Sequence, residues 1–117
     1  MAERRRIEVN DVGDISVVHF RDKKIIEDRG IQELGQDLFG LIEVENRIKL
    51  VLNFSAVDFL SSAALGKLIT LDKKVKAANG ALRLCNIRSE IYEVFAITRL
   101  DRFFKIKDDE ADALASF

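Results

Sequence analysis

Alternating apolar and polar residues near the N-terminus predict a β-hairpin. The segment RIEVN is followed by DVGD and then by ISVVHF, and the β-branched residues of the two outer segments favour strands. Gly13, with its neighbouring aspartates, favours a turn between them. The next segment, RDKKII, is consistent with one more short extended piece.

From Ile31 onward the apolar residues recur at helical spacing. Polar residues occupy the opposite side of the predicted helix, and the apolar stripe consists of Ile31, Leu34, Leu38, Leu41 and Ile42. The following run, RIKLVLNF, first alternates and then becomes continuously apolar. This pattern predicts a central strand that is covered on both faces.

Helices and strands continue to alternate in the second half of the chain. SAALGKLITLDKKVKAANG predicts a helix that ends at Asn79-Gly80, with an apolar stripe of Leu65, Leu68, Leu71 and Val75. ALRLCNI predicts a strand, SEIYEVFAIT a short helix capped by Ser89, and RFFKI a short strand. DDEADALASF predicts a C-terminal helix with acidic residues in its first turn.

This order predicts an α/β fold: a small mixed β-sheet with parallel central strands and an N-terminal hairpin, packed against about four helices. The 117 residues are 48% apolar and 33% charged, which argues against disorder and suits one domain over residues 1–117. The basic cluster Arg4–Arg6 is interpreted as part of a solvated, flexible end that spans residues 1–6.

Charge and hydropathy argue against several classes of function. The formal net charge of −1 provides no long-range attraction to nucleic acid or to an anionic membrane. No segment approaches the roughly 20 apolar residues that span a membrane, and the N-terminus lacks the apolar core of a secretory signal. The cytoplasm is therefore the expected location.

Motifs for catalysis are absent from the sequence. It contains no glycine-rich phosphate loop and no paired-cysteine or HExxH zinc motif. His19 is expected on a sheet face with a local hydrogen-bond partner, and the apolar run around Cys85 suits a reduced, buried thiol. The sequence therefore argues against an enzyme and predicts no cofactor and no metal.

Two adjacent serines, Ser61 and Ser62, precede the helix that contains Leu65. Either hydroxyl could cap this helix by accepting a hydrogen bond from an unpaired amide of the first turn. The same helix end carries a partial positive charge, which suits an anion. A phosphate on a serine here would add about −1.5 to −2 charges at pH 7 and would obstruct a partner docked closely on that turn.

A helical wheel places Ser62, Gly66, Ile69 and Lys73 on one stripe, rotated away from the core stripe. A glycine within a helix costs about 1 kcal/mol relative to alanine. Close approach of another chain would explain Gly66, with Ile69 as an apolar anchor. The alternative is that Ile69 is an ordinary exposed apolar residue and that Gly66 packs inside the domain. The predicted partner-binding residues are Ser61, Ser62, Gly66, Ile69 and Lys73.

The segment IKLVLNFSAVDFLSSAALGKLITLDKKVKAANGALRLCNI resembles the central part of the STAS domain, the family of bacterial anti-sigma factor antagonists. That part has an apolar strand, a loop like V-x-F-[ML]-D-S-[ST]-G-L-G, a helix, and a strand like G-G-x-[LM]-x-[LV]. TRLDRFFKIKDDEADAL resembles the end of the family's domain, so the resemblance covers about residues 7 to 117. It implies a small mixed sheet with helices packed beside it.

The resemblance implies a regulatory protein-binding module. Family members bind a partner protein, often an anti-sigma factor that is also a serine kinase. Phosphorylation of the serine after the loop aspartate blocks that binding, and a phosphatase restores it. The resemblance places this phosphorylation site at Ser62 and matches Leu65 and Gly66. At the usual aspartate this chain has Ser61, and Ala63 and Ala64 stand at the usual serine or threonine and the next glycine.

Two other functions stay open at this point. Relatives in stressosomes, and STAS subunits that dock on transporter ATPases, vary at this loop, so the same face would also serve a constitutive scaffold without phosphorylation. A small-molecule or nucleotide-binding domain would use the helix terminus as an anion site, although a phosphate-cradling loop is missing. The sequence leaves open which sigma factor, kinase or transporter is the partner and whether the domain dimerises.

Overall fold

The strands and helices of the protein follow the predicted alternation. The computed structural model describes residues 4–117. In chain order its elements are β1 (Ile7–Val12), β2 (Ile15–Phe20), β3 (Lys24–Ile25), α1 (Asp28–Glu43), β4 (Lys49–Asn53), β5 (Phe59–Leu60), α2 (Ser62–Ala77), β6 (Ala81–Cys85), α3 (Ser89–Ile97), α4 (Leu100–Phe103), β7 (Lys105–Lys107) and α5 (Glu110–Ala115). Within this described part of the chain, no helix is both long and apolar enough to cross a lipid bilayer.

Five strands form one mixed sheet in the order β1-β2-β4-β6-β7. β1 and β2 pair antiparallel across a turn at Gly13, whose φ of 62° is a conformation that glycine adopts without a steric penalty. The other neighbouring strands are parallel, and the intervening chain contains the helices that such crossovers require. The predicted α/β class, with parallel central strands and an N-terminal hairpin, is confirmed.

Alternate residues of the central strands enter two different cores, because successive side chains of a strand point to opposite faces. The larger core combines residues such as Leu52 of β4 with apolar side chains of α1, α2 and α3. The smaller core consists of Val17, Val51 and Cys85 together with Ala113 of α5. β4 is therefore buried on both faces, as its apolar run predicts.

A second, two-stranded sheet positions the serine pair. β3 and β5 pair in parallel, and the amide of Ser61 donates to the carbonyl of Ile25 at 3.0 Å. This bond ties the residue before α2 to β3. The sequence predicts the extended piece at β3 but not β5, because a strand of two residues is too short for alternation to be detected.

Three local details differ from the predictions. Arg102 and Phe103, which RFFKI predicts in a strand, lie in α4, and β7 begins at Lys105. The described residues contain five helices rather than about four, because α4 is a single turn that follows Arg99 at a φ of 63°. Ser89 is the first residue of α3 and not its cap, since Arg88 occupies the cap position. The Ser89 hydroxyl donates to the Glu90 carboxylate at 2.7 Å instead.

The basic cluster near the N-terminus is anchored to α1. The backbone amides of Arg5 and Arg6 donate to the Asp37 carboxylate at 2.8 and 2.7 Å. The Arg6 guanidinium also donates to Glu33 at 2.6 Å, which lowers the pKa of that carboxyl. These contacts hold residues 5 and 6 against α1, and residues 1–3 of the predicted flexible end lie outside the described part.

Candidate functional site

Ser61 is the residue that caps α2. Its backbone is extended, with φ −78° and ψ 164°, and its Oγ accepts a hydrogen bond from the amide of Ala64 at 3.3 Å. This is the geometry of an N-cap, in which a side-chain oxygen satisfies one of the amides that a helix leaves unpaired. Ser61 is partly buried, so its first role is structural.

Ser62 is the first residue of α2 and is exposed to solvent. It lies at the positive end of the helix dipole, where a negative charge is favourable. The first turn of α2 contains no acidic residue that would repel a negative charge there. The surroundings of Ser62 are therefore compatible with a phosphate without loss of the helix.

Gly66 lies one turn after Ser62 on the exposed side of α2. A Cβ built at this position would meet no atom within 4 Å, counted over the described residues. The alternative in which Gly66 packs inside the domain is therefore wrong. Its missing side chain leaves the backbone of α2 open to close approach from outside.

Ile69 and Lys73 complete the predicted stripe, but they differ in exposure. Lys73 is exposed. Ile69 is half-buried and packs against the larger core, so it is not the freely exposed anchor that the wheel predicts. The stripe that faces solvent consists of Ser62, Gly66 and Lys73, with Ile69 at its edge.

A small apolar groove adjoins this stripe on the side of Leu65. Its volume is about 130 Å³, and it is lined by Asp58, Phe59, Leu60, Leu65, Glu90, Ile91 and Val94. Leu60 and Leu65 belong to the segment that contains the serine pair, whereas Glu90, Ile91 and Val94 belong to α3. The groove therefore joins the start of α2 to α3 across the surface.

The histidine and the cysteine lie under α5, away from the serine pair. His19 Nε2 is 3.5 Å from Glu110 Oε1, and that carboxylate oxygen accepts a hydrogen bond from the side-chain amide of Asn53 at 2.9 Å. Cys85 is completely buried, and burial, together with the Glu110 and Asp109 carboxylates, raises the pKa of its thiol to about 12. Among residues 4–117, no group of three or more His, Cys, Asp or Glu side chains is arranged to hold a metal ion.

Comparison with known families and structures identifies the fold. The model of the STAS domain family matches residues 6–113. The chain belongs to the STAS domain family. BtrV of Bordetella bronchiseptica, named as a proposed anti-sigma factor antagonist, is 25% identical over 93 residues, which are 80% of this chain and 79% of that protein.

Solved STAS structures have the same architecture. TM1081 of Thermotoga maritima, described as a proposed anti-sigma factor antagonist, matches with a TM-score of 0.81 at 23% identity, over 93% of this chain and 92% of that one. The Bacillus protein SpoIIAA in its phosphorylated form matches with a TM-score of 0.70 at 15% identity, over 93% and 96% of the two chains. At these identities the likeness shows that this STAS domain has the fold of anti-sigma factor antagonists.

Phe59 and Val94 are exposed residues of this STAS domain that the sequence analysis missed. Their relative exposures are 52% and 38%, although both are apolar. For Val94 a signal was available, because it follows Ile91 by three residues and is therefore an apolar neighbour of Ile91 on the surface of α3. Phe59 offered no comparable signal, since its exposure depends on the short pairing of β5 with β3.

Proposed function

We propose that this STAS domain is a non-enzymatic, cytoplasmic anti-sigma factor antagonist whose partner is an anti-sigma factor with serine kinase activity. The partner docks on the face formed by Ser61, Ser62, Gly66, Ile69 and Lys73. Phosphorylation of Ser62 releases the partner, and a phosphatase restores binding. The names of BtrV and TM1081 support this class of partner, and the phosphorylated form of SpoIIAA supports this kind of switch.

The proposal depends most on the different roles of the two serines. The Ser61 hydroxyl caps α2, so the helix does not need the hydroxyl of Ser62. The Ser62 side chain is exposed, where a kinase can reach it. The positive end of the α2 dipole tolerates a phosphate there, so modification changes the docking surface and leaves the fold intact.

Gly66 supports the docking part of the proposal. Glycine within a helix costs about 1 kcal/mol relative to alanine, and no contact among residues 4–117 requires it. Close packing of a partner against the α2 backbone would give this residue a role. A phosphate on Ser62, one turn away, would then be buried without a counter-charge on complex formation, which is unfavourable by a few kcal/mol.

The test first isolates the partner: proteins that co-purify with the tagged chain from its native cells are identified by mass spectrometry. Binding of the anti-sigma factor found in this way is then measured. Its affinity for the wild type and for Ser62→Ala and Ser62→Asp is measured by isothermal titration calorimetry. We expect Ser62→Asp to weaken binding by at least about tenfold, which corresponds to ~1.4 kcal/mol. Ser62→Ala should bind like the wild type.

Ser55→Asp is the matched control, because Ser55 is an exposed serine in the loop after β4. It should bind like the wild type, and thermal melts must show that all variants are folded. Equal affinities of Ser62→Ala and Ser62→Asp would contradict the switch. If the chain isolated from native cells also carries no phosphate on Ser62 by mass spectrometry, a constitutive scaffold that uses the same face is favoured.

A further inference from the structure

The groove beside the serine pair has an apolar floor and exposed apolar walls. Leu60, Leu65 and Ile91 form the floor and are at most 8% exposed. Phe59 and Val94 rise beside it with 52% and 38% of their surface exposed. Burial of large apolar side chains such as these is favourable, because it removes apolar surface from water. This surface is therefore suited to contact with another molecule.

The apolar surface extends along α3 beyond the groove. Ile97 follows Val94 by three residues, which places the two side chains on the same face of the helix. Ile97 is 82% exposed. Contiguous exposed apolar residues are typical of surfaces that bind another protein, whereas single exposed residues need no explanation.

The size of the groove decides what class of ligand fits it. Its volume of about 130 Å³ is well below the ~300 Å³ at which small-molecule sites begin. It is nevertheless several times the ~30 Å³ that one water molecule occupies. A single apolar side chain from another protein fits this space, and inserted anchors of this kind contribute most of the affinity in many interfaces.

The charges at the rim of the groove favour a cation on the bound segment. Asp58 is already paired, since Arg88 Nη2 lies 2.9 Å from its carboxylate. Glu90 is exposed and accepts a hydrogen bond from the Ser89 hydroxyl, and among residues 4–117 no lysine or arginine forms an ion pair with it. A carboxylate at the edge of an apolar groove is complementary to a lysine or arginine beside the inserted side chain.

We propose that this groove is a docking site for a protein segment that inserts one apolar side chain between Phe59 and Val94 and places a lysine or arginine against Glu90. Two of the residues that line the groove flank Ser62 in the chain, since Leu60 precedes it by two residues and Leu65 follows it by three. The inference rests on the proposed function in one respect, namely that the segment belongs to the partner that docks at Ser62.

The test uses a phage-displayed library of short random peptides selected on the immobilised chain. We expect the enriched peptides to combine an apolar residue with a neighbouring lysine or arginine. Their synthetic versions should bind Val94→Asp and Glu90→Lys at least about tenfold more weakly than the wild type. Circular dichroism and thermal melts must show that the variants are folded.

Two matched variants control for the substitutions themselves. Val44→Asp introduces the same charge at a valine that is 79% exposed at the end of α1. Glu93→Lys reverses a charge on α3 at a residue that does not line the groove. Both should bind the peptides like the wild type. The docking site is overturned if no peptide is enriched or if Val94→Asp binds as well as Val44→Asp. The proposed contact between Glu90 and a lysine or arginine of the peptide is overturned if Glu90→Lys binds the peptides as well as Glu93→Lys does.

The failure of this inference is distinguishable from failure of the proposed function. If Ser62→Asp releases the anti-sigma factor but Val94→Asp binds it like the wild type, the groove is not part of that interface and the switch stands. If the selected peptides bind as expected but the Ser62 variants have equal affinity for the anti-sigma factor, the groove stands and the phosphorylation switch fails.

Discussion

The hydroxyl oxygen of Ser61 accepts a hydrogen bond from the amide of Ala64 at 3.3 Å. This bond separates the roles of two neighbouring serines that have the same side chain. The first completes the hydrogen bonding of α2, and the second is left exposed at the start of the same helix. Chemical modification of the second serine is therefore compatible with an intact fold.

Removal of the two hydroxyls should affect stability unequally. Ser61→Ala deletes the N-cap of α2 and should lower the free energy of unfolding by about 1 kcal/mol. Ser62→Ala changes an exposed position and should stay within about 0.5 kcal/mol of the wild type. Urea unfolding measures both values. Ser61→Asp should retain the stability of the wild type because aspartate is also a good cap, and equal losses for the two alanine variants would contradict the assignment of the cap.

Alanine should have opposite effects at two glycines. Gly66→Ala should raise the free energy of unfolding by up to about 1 kcal/mol, because alanine favours the helix and its Cβ meets no neighbour. A Cβ at Gly80 would lie 2.1 Å from the carbonyl oxygen of Ile48, which is closer than atoms can approach. Gly80→Ala should therefore lower the melting temperature. A destabilised Gly66→Ala variant would show that Gly66 has a structural role within the domain.

The aromatic residues of the larger core should be more important for stability than those at its edge. Phe95 is completely buried between Phe54 and Phe104, with ring centroids 6.5 and 5.9 Å away. Phe95→Ala should lower the free energy of unfolding by about 3–5 kcal/mol because it leaves a cavity. Phe103 is 38% exposed, so Phe103→Ala should have a clearly smaller effect. Chemical denaturation of the two variants tests this difference, and comparable losses would contradict it.

Stability should decrease in alkaline solution because of Cys85. Burial first, and the Glu110 and Asp109 carboxylates next, raise the pKa of the folded thiol from 9.0 to about 12. Between these two values the unfolded chain has released a proton that the folded chain retains, so the free energy of unfolding falls as the pH rises.

The comparison of the wild type with Cys85→Ala isolates this contribution, since the alanine variant lacks the ionisable group. The difference in unfolding free energy between the two proteins should be constant below about pH 9 and should shrink as the pH rises above it. A difference that does not change with pH would mean that the thiolate is tolerated in the folded state.

Local pattern was sufficient to predict most of the architecture. The apolar stripe of α1 and the continuous apolar run of β4 indicate which faces are buried. Buried positions recur at a fixed interval along a helix or strand, so the sequence of that element alone contains the pattern. The order of hairpin, strands and helices then limits the sheet to parallel central strands. Short elements such as β5 and α4 escaped prediction because they contain too few residues to show a period.

The candidate site was only partly predictable, because part of it depends on tertiary packing. The sequence by itself determined that Ser61 and Ser62 stand where a strand gives way to a helix, and that Gly66 and Lys73 lie on the side of that helix away from its core stripe. Only the tertiary structure decided that Ile69 packs against the core, that Gly66 has open space where Gly80 has none, and that Phe59 and Val94 border a groove. These features depend on which distant segments pack beside a residue, and the periodicity of one element contains no information about its neighbours.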